Sequence, residues 1–415
     1  MKLEMSEPLP PIRTNLDFMP SPLEDRPGLL IRDPFQYSDA ALVIPAVLVP
    51  CLECFDGKSS ALDLRQMLVG LTGDLRVGDL QENLVGALSE AGFLDNEVYR
   101  RMRSEREAEF AAAPCREATH AGSAYPREPG ALRATIDGYL LDGAPPEAEP
   151  DLTGIAAPHV SPEGGRSCYR SAFGALGPEY ADRTFVVLGT SHYGEPDCFG
   201  LTRKPYVTPY GEPLCDTALV ERLSAAGGSA VRLEDYCHAV EHSIEFQVLF
   251  LQHLFGPRIR VLPVLCGSFG RSFLGRKQPD QDAEVRRFLE ALRELAASEG
   301  PRLLWVLGID LAHIGRRYGD PFPVQAQDSR MAEVARRDAE RLDRVLSGDR
   351  EGFWNLVCEN RDDLRWCGAS ALYTFLYAVP QARGRLREYG QWSIDSQSAV
   401  SFAALSFRVA SPGSC

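Results

Sequence analysis

The strongest constraint on this chain is a set of four apolar runs, GIAAPH (154–159), TFVVLGTSH (184–192), IRVLPVLCG (259–267) and LLWVLGIDLAH (303–313). They are separated by helical patterns: EHSIEFQVLFLQHLF (241–255), apolar nearly all round, and DAEVRRFLEALRELAASEG (282–300), amphipathic. Strands that read as continuous apolar runs must be covered on both faces, so the alternation predicts an α/β domain with a central, largely buried mixed sheet flanked by helices. The helix ALYTFLYAV and two further strand-like runs, LREYGQWSI and AVSFAALSF, close the pattern.

Three of the four runs finish in polar residues. His159 ends the first, Ser191-His192 the second, and Asp310 with His313 the last. In an open α/β sheet the carboxyl ends of neighbouring strands face one crevice, so these side chains can converge there despite their separation in sequence. Neutral imidazole is the commonest metal ligand, and a carboxylate such as Asp310 can orient it or bind metal itself. A single histidine at a strand end is ordinarily just a hydrogen-bonded loop residue; several together favour a site. His242 opens a helix beside Glu241, with Glu245 one turn on, although the helix dipole alone accounts for glutamates there. His238 and His253 read as ordinary, and spacing gives His120 no place.

Before this domain the chain reads differently. Residues 1–28 are Pro-rich and polar, expected as a flexible arm with little regular structure. Residues 29–95 read as a small α+β unit: strands around Leu29–Ile31 and Ala41–Val49, a helix marked by Leu62, Leu64, Met67 and Leu68, and another marked by Leu80, Leu84 and Leu88 and closed by Gly92. A charged connecting helix follows within 96–117, and the α/β domain spans 118–410. Residues 1–114 hold 11 basic against 19 acidic side chains, a net of −8 out of −14 for all 415 residues. That balance argues against nucleic acid, whose phosphates need Lys and Arg, and favours a peptide or protein partner. No apolar run reaches membrane-spanning length and the N-terminus lacks a secretory stretch, so a cytoplasmic protein without membrane contact is expected. Eleven scattered cysteines favour reduced thiols. Cys51 and Cys54 form a lone C-x-x-C with no second pair, best read as packing, and no G-x-S-x-G elbow or phosphate loop is present.

Taken in order, HAGSAYP (120–126), IAAPH (155–159), VVLGTSH (186–192), EHSIEFQ (241–247), GIDLAHIG (308–315) and WCG (366–368) resemble the Memo family. The preceding module is similar to the winged-helix-like PqqD units, an arrangement that points to the AmmeMemoRadiSam system protein B branch. The resemblance implies a fold shared with class III extradiol dioxygenases and a metal pocket built from two histidines and a cysteine. By motif these are His159, His192 and Cys367, with Asp310, His313 and His242 as catalytic polar groups lining the same pocket. It implies iron(II), with copper next and zinc after it, an oxidoreductase activity of undefined substrate, and a radical-SAM enzyme, an AMMECR-type protein and a peptide on the N-terminal module as partners. The chain departs from the family pattern at APHVSPEGG after His159, at Tyr193 and at Ala124.

Two histidines and a thiolate suit iron, copper or zinc, so the ligands alone do not choose the metal. Without the resemblance, Cys367 reads as a buried small hydrophobe before a helix. The rival functional reading is a peptide-binding scaffold with a vestigial pocket that partners a radical-SAM enzyme; a zinc hydrolase is a third.

Overall fold

The computed structural model describes residues 6–21, 23, 25–142 and 147–409. It divides into two compact units, Met1–Ala112 and Ala113–Cys415.

The N-terminal unit is an antiparallel sheet of β1 (Asp17–Pro20), β2 (Gly28–Arg32) and β3 (Ala41–Pro45), followed by helices Ala61–Thr72, Gly78–Glu90 and Glu97–Ala112. Its core gathers Ile31, Leu64, Leu68, Leu88 and Phe93. Ser60 and Asp63 close a reciprocal capping box on the first helix, and Gly73 ends it in the left-handed conformation that glycine takes without a Cβ penalty. Two expectations need correction. The strand read over 41–49 stops at Pro45, and Ala46–Cys54 is a 3-10 helix that buries Leu48, Cys51 and Cys54. Within the segment read as a flexible arm, residues 9–20 are anchored: Leu9 and Leu16 are buried, the Leu9 and Ile12 N–H groups donate to Ser59 and Phe55 carbonyls at 2.8 Å, and β1 pairs with β2. Composition averages such widely spaced apolar residues away among the prolines.

The second unit is built on a ten-stranded mixed sheet. Its strands are β4 (Leu152–Ala157), β5 (Thr184–Thr190), β6 (Phe199–Leu201), β7 (Leu214–Cys215), β8 (Val231–Leu233), β9 (Arg260–Cys266), β10 (Leu303–Gly308), β11 (His313–Gly315), β12 (Ala382–Asp395) and β13 (Ser398–Val409). The order is β11-β13-β4-β10-β5-β9-β6-β8, with β12 on β13 and β7 on β9. At its centre β4, β10, β5 and β9 are parallel, and they are the four apolar runs. Alternate residues face opposite covers: Leu303, Trp305 and Leu307 of β10 enter one core, Leu304 and Val306 the other. Burial on both faces is why these strands carry no polar alternation.

Parallel register puts Ala157, Gly308, Gly189 and Leu265 level across the sheet, so the residues after them share one edge. The run read as one strand over 303–313 breaks there. β10 ends at Gly308, Asp310 lies in the crossing, and His313 begins β11, which pairs antiparallel with β13 beyond β4. The Ile309 N–H still donates to Ala157 O at 2.9 Å, but the Leu311 N–H has switched to Ser401 O at 2.8 Å on β13.

Candidate metal centre

β4 delivers His159 to the edge, and its ring is locked there. Nδ1 lies 3.0 Å from the Gly308 carbonyl, which only accepts, so Nδ1 donates and Nε2 presents its lone pair. Its backbone N–H donates to Asp310 Oδ1 at 3.1 Å. β5 delivers His192, whose N–H and Nδ1 both meet the Glu241 carboxylate, at 2.9 and 3.0 Å. The same carboxylate accepts from the His242 N–H at 2.8 Å and the Ser243 N–H at 3.1 Å, and lies 3.2 Å from His242 Nδ1. Glu241 is thus a fully buried hub, 0% exposed, that aims two imidazoles. Its backbone is extended and the helix begins at Glu245, so His242 precedes the helix rather than opening it.

Two glycines let this turn sit on the sheet. A Cβ on Gly189 would stand 2.5 Å from Ser243 Oγ and 2.6 Å from Ile244 Cγ1, and one on Gly308 would collide with the Ser243 carbonyl. Ser243 Oγ donates to Thr190 O at 2.8 Å and Gln247 Nε2 to Pro158 O at 2.8 Å, tying the turn to both histidine-bearing strands.

The result is a cluster. One ligand atom each from His159, His192 and His242 lies within 4.8 Å of the others, with ring centroids 5.0 to 5.3 Å apart. Cys367 Sγ comes within 3.3 Å of His159 Nε2, and Gly368 N–H donates to Asp310 O at 3.0 Å, drawing the WCG turn to the same edge. Asp310 Oδ2 lies 3.5 Å from His159 Nε2. His313 donates through Nδ1 towards the Leu311 and Arg365 carbonyls and packs its ring on Tyr318 at 4.9 Å.

A model of the Memo-like protein family matches residues 116–406, which takes in every one of these side chains. The chain belongs to the Memo-like family. Among its relatives are a MEMO1 family protein of Aquifex aeolicus, 26% identical over 91% of this chain and 95% of that one, and one of Desulfurococcus amylolyticus, 26% identical over 70% and 97%. A third, from Thermus thermophilus, is 29% identical over 74% of this chain and 85% of its own.

Electrostatics keeps the imidazoles of this Memo-like site in distinct states. Burial, and then the neighbouring His192, push His159 down to about 3; burial takes His313 to about 4 and His242 well below the usual imidazole range. All three are neutral at pH 7, the form that binds metal. Burial opposes charge on His192, but Glu241 outweighs it and raises the ring's pKa while its own falls well below the carboxylate range. With 29% of its side chain exposed, His192 stands at the mouth, where water moderates that pull. Burial lifts Asp310 to about 6 and, with Asp310's charge, raises the Cys367 thiol well above its usual range.

Glu245 and three residues brought to it from far away in sequence, Arg116, His120 and Tyr125, complete the site. Glu245, fully buried, accepts from the His120 N–H at 3.1 Å, faces His120 Nδ1 at 3.0 Å, and pairs with Tyr125 OH and the Arg116 guanidinium. The His120 ring thereby sits 5.6 Å from that of His242. Arg116 also donates to the Glu241 carbonyl at 2.7 Å. The one sequence signal was the pair of glutamates in EHSIE: Glu241 precedes the helix and Glu245 lies in its first turn, and both anchor histidines.

The donors suit a borderline-to-soft first-row metal. Ring nitrogens of three histidines converge, the Nδ1 atoms of His159 and His192 are held by a backbone carbonyl and a carboxylate, and a thiol stands beside His159.

Proposed function

We propose that this Memo-like chain is a redox-metal oxidoreductase in which His159, His192 and Cys367 hold iron(II), with copper the second choice. The observation that supports the reading is that a ring nitrogen of His159 and one of His192 lie within 4.8 Å of each other, with Cys367 Sγ 3.3 Å from His159 Nε2 and both Nδ1 atoms already committed. When bound, such a metal supplies one-electron redox chemistry and open positions for substrate or dioxygen.

The protein's own groups have separate tasks. Gly308 O and Glu241 fix the ligand tautomers; Asp310 holds the His159 backbone and, through its carbonyl, the Cys367 turn. His242, neutral and aimed by Glu241, is a hydrogen-bond acceptor beside the ligands, and Asp310, lifted by burial to about 6, is the group there whose pKa lies nearer working pH for proton exchange. His313, held by the Leu311 and Arg365 carbonyls, is proposed as a further polar group of the site. The kinship to class III extradiol dioxygenases and the AmmeMemoRadiSam setting belong to the same proposal, as does cytoplasmic residence; no helix among the described residues is long and apolar enough to cross a membrane. The N-terminal unit is proposed as a PqqD-like module that takes a peptide, with a radical-SAM enzyme and an AMMECR-type protein as partners. Its strands-then-helices order and its acidic balance support that part.

Anaerobically purified full-length protein should carry close to one iron or copper per chain and consume dioxygen with reductant. Stoichiometric zinc with no oxygen uptake would favour a hydrolase instead.

A further inference from the structure

We propose that Asp338 is a positioning residue of the metal centre: its carboxylate, fixed on the sheet, holds the Trp366 indole and thereby sets where the next residue, Cys367, presents its thiol. The proposal rests on the reading of Cys367 as a ligand.

Asp338 lies on the helix Ser329–Ser347, whose inward face is otherwise Met331, Val334, Arg341, Leu342 and Val345. It is 0% exposed, and burial opposes its charge and raises its pKa. Packing alone does not call for a carboxylate at such a place. What surrounds it is three donors. Oδ1 accepts from Trp366 Nε1 at 2.7 Å, and Oδ2 from Ser401 Oγ at 2.6 Å and Tyr389 OH at 2.8 Å. Tyr389 is on β12 and Ser401 on β13, so two of the three bonds fix the carboxylate to the sheet and the third reaches the turn beside the centre.

These bonds close a circuit around the site. Ser401 Oγ accepts from the Ala312 N–H at 2.9 Å, and the Ser401 backbone exchanges bonds with Leu311 and Ala312 at 2.8 and 2.9 Å. Asp310, in the same crossing, accepts through its carbonyl from the Gly368 N–H at 3.0 Å. On that side the turn is wedged: a Cβ on Gly368 would stand 2.6 Å from Ile309 Cβ. On the other side Arg365 leads into Trp366 with φ at 51°, a conformation a non-glycine residue keeps only when its surroundings hold it. An indole has one donor and no acceptor, so the Trp366 ring answers to its single bond to Asp338, with the Arg341 guanidinium 5.9 Å over its face. The 3.3 Å approach of Cys367 Sγ to His159 Nε2 depends on that hold.

Two readouts on the full chain test this. Iodoacetamide alkylation of metal-free protein, followed at Cys367 by peptide mass spectrometry, reads the placement of the thiol without any metal. Trp366→Phe and Asp338→Leu should change that rate about threefold or more, while Asp338→Asn, whose amide oxygen still accepts from the indole, stays close to wild type. With cobalt(II) as the probe metal, the first two variants should bind about tenfold more weakly and lose most of the thiolate-to-cobalt absorption, again with Asp338→Asn close to wild type. Val345→Ala, a cavity on the same helix face, should lower stability in urea and leave both readouts unchanged. Trp366→Phe carries the test where Asp338→Leu does not fold. Unchanged readouts in Trp366→Phe, Asp338→Asn behaving as Asp338→Leu, or the same changes in Val345→Ala overturn the proposal. Altered alkylation in the variants of a chain whose wild type shows no thiolate-to-cobalt absorption instead removes the ligand reading and leaves the positioning role standing.

Discussion

Glu241 accepts from His192 twice, through the backbone N–H at 2.9 Å and ring Nδ1 at 3.0 Å, so one buried carboxylate sets both the position and the tautomer of that imidazole. Outer-shell carboxylates of this kind are worth about 10- to 100-fold in metal affinity. Glu241→Gln keeps the shape and loses the charge; metal competition titration should show a loss in that range, and an unchanged affinity would mean His192 is not a ligand.

The Arg116–Glu245 pair gives the domain an acid-sensitive bolt. Burial opposes ionisation of Glu245, but Arg116 and the hydrogen bonds from His120 and Tyr125 lower it from 4.5 to about 2. A depressed carboxylate contributes stability that is complete above its unfolded value and is lost as pH falls through the folded one. Urea unfolding should therefore show on the order of 3 kcal/mol disappearing between about pH 4.5 and pH 2. Glu245→Gln should remove that part of the pH dependence and cost about 3–5 kcal/mol at pH 7, because Arg116 is left buried without its charge partner.

Gly308→Ala would drive a methyl group into the Ser243 carbonyl, and Gly189→Ala would bring one to 2.5 Å from Ser243 Oγ. Each should destabilise the domain by about 1–3 kcal/mol. Both should also weaken metal binding, since the displaced turn carries Glu241 and His242. Thermal melts with metal titration check this; normal affinity in both variants would separate the turn from the centre.

The central sheet was legible because continuous apolar runs ending in His159, His192 and Asp310 have few alternatives to buried parallel strands with a shared carboxyl edge. His313 was misplaced on the same strand because Ile309, Leu311 and Ala312 continue the apolar pattern, whereas the backbone pairs with β13 after Gly308. Glu241 and Glu245 satisfy a rule of helix first turns that hides their burial, and the partners of Glu245, Arg116 and His120, lie more than a hundred residues away in sequence. Folding, not spacing, brings His120 to His242. Cys367 could be proposed only by resemblance, since nothing local distinguishes it from a packed thiol; its approach to His159 Nε2 at 3.3 Å is a tertiary fact.

X-ray absorption at the edge of the bound metal is the most direct test of the centre. The account predicts one sulfur with nitrogen ligands in the wild type, and loss of both the sulfur shell and most of the metal in Cys367→Ala, with metal retained in His242→Ala. A wild-type spectrum with nitrogen and oxygen alone, or metal lost in His242→Ala but kept in Cys367→Ala, would contradict it and leave His159, His192 and His242 as the ligand set.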